Sequence, residues 1–323
     1  MIRNFHNQSG RLHAVDGPAE LQDSVVWIDL VDPTNDEETT LERQLGLDLP
    51  ARAEMEEIEI SSRLYYEDGA SFMTATLPAQ TESNDPQMLP VTFVLTPERL
   101  VTIRYHEPGA FKTFPVRAAK AAPGCDTGEG VLVALLEAIV DRIADILERA
   151  GRDIDGISRQ VFKRPSADSA QDRDFQVLLE SIGGKGDLTS NIRDSLLTLE
   201  RLVGFLSHGT MQRRSGKDVR ERVKTLARDV RSLSDHASFL SQKTTFLLDA
   251  TLGMLNIEQN ATIKIFSVVA VIFLPPTLIA SIYGMNFEFM PELEWPFGYP
   301  FALVLMVLSA VLPFAYFKFR HWL

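Results

Sequence analysis

Asn260, Ser267, Leu274 and Ser281 lie seven residues apart, and Ile263, Ala270, Thr277 and Gly284 repeat that interval three residues further on. On a helix, steps of three and four return to the same face, so these eight positions form one stripe. The stripe consists of small, polar and a few aliphatic side chains. Around it stand bulky ones: Ile265, Phe266, Val268, Val269, Val271, Ile272, Phe273 and Ile279, with Phe266 next to the stripe. A helix that met only lipid would be apolar on every side. Two roles suit the pattern: close helix packing through small residues, or the wall of an aqueous pore. A two-helix hairpin cannot enclose a pore alone, so the second role needs several copies around an axis. Directly after the stripe comes "YGMNFEFMPEL", Tyr283–Leu293, a Gly-Met-Asn turn followed by Glu288 and Glu292, with no basic residue.

The elements that carry this stripe are membrane spans. Ile265–Phe287 and Trp295–Phe317 contain no charged residue, and each run is 23 residues long, more than the roughly 20 that cross a bilayer core. Pro275 and Pro276 interrupt the hydrogen-bond ladder of the first run, and the carbonyls they free need a neighbouring helix or water. Lys264 precedes the first run, and Lys318, Arg320 and His321 follow the second, whereas the link between them carries only Glu288, Glu292 and Glu294. Positive flanks stay on the cytoplasmic side, so both termini are expected inside and the Gly-Met-Asn turn outside. The net charge of −12 belongs entirely to residues 1–260. Such acidity argues against a nucleic-acid partner, which requires an excess of Lys and Arg. The single Cys125 cannot close an intrachain disulfide and fits a cytosolic domain.

The remainder reads as α+β followed by long helices. Strands are expected at Ser24–Val31, Ser62–Asp68, Ala70–Leu77, Pro90–Thr96 and Arg99–Tyr105, stretches rich in β-branched and aromatic residues bounded by turn formers. "DPTNDEE", Asp32–Glu38, opens a helix rather than a metal loop, because it lacks the alternation of a calcium site. Helical spacing begins near Gly128, and "GGKG", Gly183–Gly186, is read as a helix break, not a phosphate loop. Val219, Val223, Leu226, Val230, Leu233, Ala237, Leu240, Thr244 and Leu247 then alternate in steps of four and three, a heptad seam with one polar member. With no proline between Lys217 and Leu274, one helix is expected to run from Asp218 to Leu274, about 85 Å at 1.5 Å per residue. The expected divisions are an α/β domain at 1–120, a helical region at 121–216 and a stalk helix at 217–264. They continue with spans at 265–283 and 299–317, an outer loop at 284–298 and a basic tail at 318–323. No nucleophile–base pair, phosphate loop or Cys/His cluster appears, so no enzyme is indicated.

"YGMNFEFMPELEWPFGYP", Tyr283–Pro300, placed between two charge-free runs at the end of an acidic chain, resembles the CorA family of divalent-cation channels. So do "NIEQNATIKIFSVVAVIFLPPTLIASIYGMN" and the terminal "FKFRHWL". The resemblance implies a funnel-shaped homopentamer in the bacterial inner membrane, gated by cytosolic Mg²⁺ and passing Mg²⁺, with Co²⁺ or Ni²⁺ as further cargo. It implies selectivity at Gly284, Met285 and Asn286, and a cation-concentrating mouth at Glu288, Glu292 and Glu294. Asn260 matches the family's inner-mouth asparagine, Ile263 and Leu274 its constriction, and Thr277 lies between constriction and loop. Asp249 matches a helix carboxylate that holds regulatory Mg²⁺. A zinc transporter of the ZntB-like branch and a membrane-anchored sensor without transport are the competing readings.

Overall fold

The computed structural model describes residues 1–16, 24–82, 86–163, 175–285, 290–291 and 295–320. Two compact units divide the chain, Met1–Leu248 and Asp249–Leu323.

A seven-stranded sheet organises the first unit: β1 (Ile2–Gln8), β2 (Arg11–Asp16), β3 (Val25–Val31), β4 (Leu64–Glu67), β5 (Ala70–Ala79), β6 (Gln87–Leu95) and β7 (Leu100–Arg104), in spatial order β2-β1-β3-β7-β6-β5-β4. Only β3 and β7 pair in parallel; their connection contains the short helices α1 (Asn35–Leu45), α2 (Arg52–Met55) and α3 (Ile60–Arg63). The five strand stretches read from sequence are present. The β1–β2 hairpin was not foreseen: only Ile2 and Phe5 are large and apolar in β1, yet Asn4 and His6 are buried with Phe5. The expected helix start is α1, where Thr34 and Glu37 cap each other reciprocally.

Strands buried on both faces should be continuous apolar runs. β3 and β7 break this rule at Asp29 and Arg104. Arg104 is fully buried and grips Asp29 in two hydrogen bonds, Nε to Oδ1 at 3.0 Å and Nη2 to Oδ2 at 2.8 Å. Its Nη1 donates to the His106 carbonyl at 2.8 Å, and its guanidinium lies 4.7 Å from the Phe111 ring centre. Thr102 donates to Asp29 at 2.8 Å and accepts the Trp27 indole N–H at 3.0 Å. Every polar group of the pair is therefore served, which is the condition for tolerating buried charge.

Three long helices complete the unit's framework: α4 (Gly109–Ala118) leads into α5 (Gly128–Phe162), α6 (Phe175–Gln212) and the start of α7 (Lys217–Tyr283). α5 begins where a Cβ at Gly128 would stand 2.3 Å from the Arg99 carbonyl carbon, so only glycine lets the helix end approach β7. Residues Gly183–Gly186 do not break a helix; they lie inside α6. Glycine costs about 1 kcal/mol in helix propensity but keeps its N–H. The turn is anchored by Ile182 and Thr189, both buried, and by the Lys185–Asp153 ion pair at 2.6 Å. At Gly186 an added Cβ would lie 3.4 Å from the Thr244 methyl, in ordinary contact with the polar member of the α7 seam. Along that seam Val223, Leu226, Val230, Ala237, Leu240, Thr244 and Leu247 are buried. Thr244 satisfies its hydroxyl on the Leu240 carbonyl at 2.9 Å. The Arg222–Glu137 ion pair at 2.7 Å ties α7 to α5.

Two outcomes are expected from the buried network. Asp29→Ala leaves Arg104 buried and unpaired and should cost about 3–5 kcal/mol, whereas Asp29→Leu combined with Arg104→Met should cost much less; unfolding midpoints of the purified chain separate the two. His106 has its Nδ1 buried without a partner among the described residues, while Nε2 donates to the Leu77 carbonyl. Burial is the largest influence and lowers its pKa, the Leu77 bond opposes this, and the Arg104 charge adds to the lowering. The unfolded chain therefore takes up this proton first, so stability present above about pH 6.5 is lost as the pH falls below it. His106→Gln should flatten the fall in unfolding midpoint between pH 7 and pH 5.

Candidate functional site

The second unit contains the end of α7 and the helix α8 (Gly298–Phe319), both long and apolar enough to cross a membrane. α7 passes through Pro275 and Pro276 and continues to Tyr283. The prolines remove two amide donors, those that would serve Val271 and Ile272, but their φ is compatible with a helix. The helix ends at Gly284, whose N–H donates to the Ala280 carbonyl at 2.9 Å, and at Met285, whose N–H donates to the Ile282 carbonyl at 3.2 Å.

Burial separates two faces of this span. Val268 is buried, and Lys264, Ile272, Pro275, Pro276, Ile279 and Tyr283 are half-buried, a set recurring every three to four residues. On α8 the covered positions are Gly298, Ala302, Met306, Ser309, Ala310, Pro313 and Phe317. All eight stripe residues are exposed: Asn260, Ile263, Ser267, Ala270, Leu274, Thr277, Ser281 and Gly284. At 100° per residue the stripe falls on the side of α7 opposite the covered face. Small residues that merely seated α8 would lie on the covered face, so packing within the hairpin does not account for them. Ile263 and Leu274 are 62% and 65% exposed, and Phe266 beside them 71%.

Two polar members of the stripe, Ser267 and Thr277, place their hydrogens without help from outside. Ser267 Oγ donates to the Ile263 carbonyl at 2.8 Å and Thr277 Oγ1 to the Phe273 carbonyl at 2.7 Å. Their oxygen lone pairs remain available on the surface of the helix, and hydroxyls held this way are tolerated in a bilayer. Aromatic residues gather near the start of α8, where Trp295 lies 6.2 Å from Phe297 and 5.9 Å from Phe301 between ring centres. Arg320 stands over the Tyr316 ring at the other end. Such aromatic and basic residues anchor a helix at membrane interfaces.

The matches to known proteins span the whole chain. The family described as CorA-like Mg²⁺ transporter protein matches residues 22–318. The magnesium transport protein CorA of Escherichia coli (strain K12) is 36% identical over 328 residues, covering 100% of both chains. That of Haemophilus influenzae (strain 86-028NP) is 35% identical over 324 residues, again covering 100% of both. This chain belongs to the CorA-like Mg²⁺ transporter family. Among solved structures, the complete CorA magnesium transporter from Methanocaldococcus jannaschii has a TM-score of 0.75 at 20% identity, covering 100% of this chain and 99% of that one. At that identity the likeness speaks for the fold alone: a soluble α/β domain, long helices and two C-terminal apolar helices.

Within this CorA-family fold, Gly284 and Met285 sit at the exposed end of α7, while Asn286, Glu288, Glu292 and Glu294 lie outside the described residues. Asp249 is exposed on α7. No group of three or more His, Cys, Asp or Glu among the described residues is placed to hold a metal. The buried Cys125 has its thiol pushed up to about 11, chiefly by burial, and so remains protonated at neutral pH. Sequence reasoning did not single out Asp29, Arg104 or the arginines Arg63 and Arg201, whose neighbours are brought to them only by the fold.

Proposed function

We propose that this chain conducts Mg²⁺ inward across the bacterial inner membrane as a homopentamer, with five copies of the α7 span lining the path. The observation that carries this reading is the exposed stripe, polar in part and turned away from the covered face of its own hairpin. Five copies around an axis would give each stripe the water its hydroxyls and Asn260 suit. Magnesium sheds its waters reluctantly, so a ring of Asn286 carbonyl oxygens can select it hydrated, by accepting hydrogen bonds from its waters. Glu288, Glu292 and Glu294, repeated around the mouth, would raise the local cation concentration.

No coupled energy source is required. A divalent ion gains about 4.6 kcal/mol per 100 mV on moving to the negative side, twice the single-charge value. Rings of Ile263 and Leu274, with Phe266 beside them, would close the path by excluding water. In this reading both termini are cytoplasmic, Co²⁺ and Ni²⁺ are further cargo, and Asp249 contributes to a site between subunits where cytosolic Mg²⁺ favours the closed state.

Ion flux into proteoliposomes tests the proposal. Mg²⁺ uptake should follow an imposed inside-negative potential and fall at least tenfold in Asn286→Ala. Asp249→Ala should keep conducting at high internal Mg²⁺; normal shut-off in that variant would remove Asp249 from the gate. Zn²⁺ flux exceeding Mg²⁺ flux, or no flux in reconstituted wild type, would overturn the reading.

Cysteine replacement examines the two faces separately. Ser267→Cys and Ser281→Cys should react with a water-soluble methanethiosulfonate in the assembled protein, and Val268→Cys should not. Cys125 provides a silent background, because burial keeps its thiol protonated and a thiolate is the reactive species.

A further inference from the structure

Arg63 and Arg201 stand together where α3 runs into β4 and α6 crosses the sheet. They line a cleft of about 10 Å³ with Ile60, Leu64, Thr74 and Thr198, room for roughly one oxygen atom. No carboxylate lines it. This is unusual in a chain of net charge −12, where most buried or half-buried cations have an acidic partner. Arg222 has Glu137, Arg99 has Glu98 and Arg104 has Asp29.

Arg63 is held rigidly on the framework. Its Nε donates to the Glu57 carbonyl and its Nη1 to Thr76 Oγ1 at 3.3 Å, which leaves Nη2 without a partner among the described residues. Arg63 is half-buried, and its pKa is lowered by burial first and by the charge of Arg201 second. Arg201 is exposed and makes no hydrogen bond or ion pair among the described residues. The α6 backbone beneath it is fixed to β5: Ser195 Oγ donates to the Thr76 carbonyl at 2.6 Å, and the Thr76 N–H donates to Thr198 Oγ1 at 3.0 Å. The Tyr66 and Phe205 rings stack at 4.5 Å one turn further along. The fold thus brings Arg63 and Arg201 to line one cleft although their charges repel each other. The repulsion is relieved by a shared anion, and the planar forks of arginine match tetrahedral oxyanions.

We infer that Arg63 and Arg201 form a binding site for a phosphate-type oxyanion, one oxygen of which enters the cleft between them. The ligand class is inorganic phosphate or the terminal phosphate of a phosphomonoester. The threonine hydroxyls shape the cleft rather than bind: Thr198 Oγ1 already donates to the Ser195 carbonyl, and the Thr74 hydroxyl is bonded to that of Thr92. The donors are Nη2 of Arg63 and the guanidinium of Arg201. This inference does not rest on the transport reading, because binding is measured without flux.

Isothermal titration calorimetry on the detergent-solubilised full chain, in EDTA at fixed ionic strength, provides the test. Inorganic phosphate and AMP are the two probes, and they separate a free anion from a monoester. Saturable binding of either is expected, with a Kd of about 1 mM or below. Arg201→Gln should weaken it about tenfold or more, and this exposed, unpaired residue can be replaced without disturbing the fold. Arg63→Lys, which keeps the charge and loses the fork, should weaken it by a smaller factor. Absence of binding by both anions, or unchanged binding in Arg201→Gln, would overturn the inference. A smaller oligomer in Arg201→Gln, without phosphate binding by the wild type, would overturn it in favour of a carboxylate from a second copy.

Discussion

The constraint on which the rest depends is that α7 is one unbroken helix of 67 residues, beginning in one compact unit and ending in the other. A single helix fixes the angular relation between successive residues, so every residue choice along it must serve its own surroundings without breaking register. From Val223 to Leu247 the choice is a heptad seam, buried throughout except at the half-buried Leu233. One polar residue is admitted there, Thr244, and the fold meets it with a hydrogen bond to its own helix and with Gly186 opposite. From Asn260 onward the same heptad interval recurs with exposed residues. A strict seven-residue repeat belongs to helices that wind around one another. The repeat thus continues along a face of α7 that the rest of this chain leaves exposed.

Membrane chemistry explains how such a helix tolerates what looks like damage in its sequence. Two prolines remove two amide donors, and Ser267 and Thr277 bring hydroxyls into an apolar span. These two hydroxyls turn back onto carbonyls one turn earlier, so neither is stranded in lipid. The carbonyls of Val271 and Ile272, deprived of their amides by Pro275 and Pro276, are a different matter. They retain acceptor capacity at mid-span, where only a neighbouring helix or water can meet it.

The legible parts of this fold were those whose signal is local. Five strands and the start of α1 followed from β-branched runs and from Pro33 with acids in a first turn, and the two spans followed from charge-free length. The β1–β2 hairpin escaped because Asn4 and His6 are polar residues buried by neighbouring strands rather than marked by their own pattern. The glycines at Gly183–Gly186 were weighed by propensity alone, and tertiary packing on Ile182 and Thr189 overrode it. Asp29 and Arg104 are 75 residues apart, so nothing in the sequence announces that they neutralise each other. The stripe was legible by spacing. Its relation to the covered face was not, because sequence periodicity identifies a face without saying what lies against it.

Exposure alone says little about the stripe, since Ile265, Val269 and Phe273 are also exposed and lipid would cover them at no cost. The discriminating members are those that lipid serves poorly. Ser267 and Thr277 retain free lone pairs after their hydrogens are placed, and the exposed Ser281 carries a hydroxyl that hydrocarbon cannot serve. Gly284 and Ala270 expose backbone rather than side chain. On a helix surface meeting only acyl chains, bulky aliphatics would satisfy every one of these positions better. Their presence on the side opposite the covered face suits the proposed assembly. There, water and the same face of another copy would meet these positions, and a ring of copies around a wet axis would supply both.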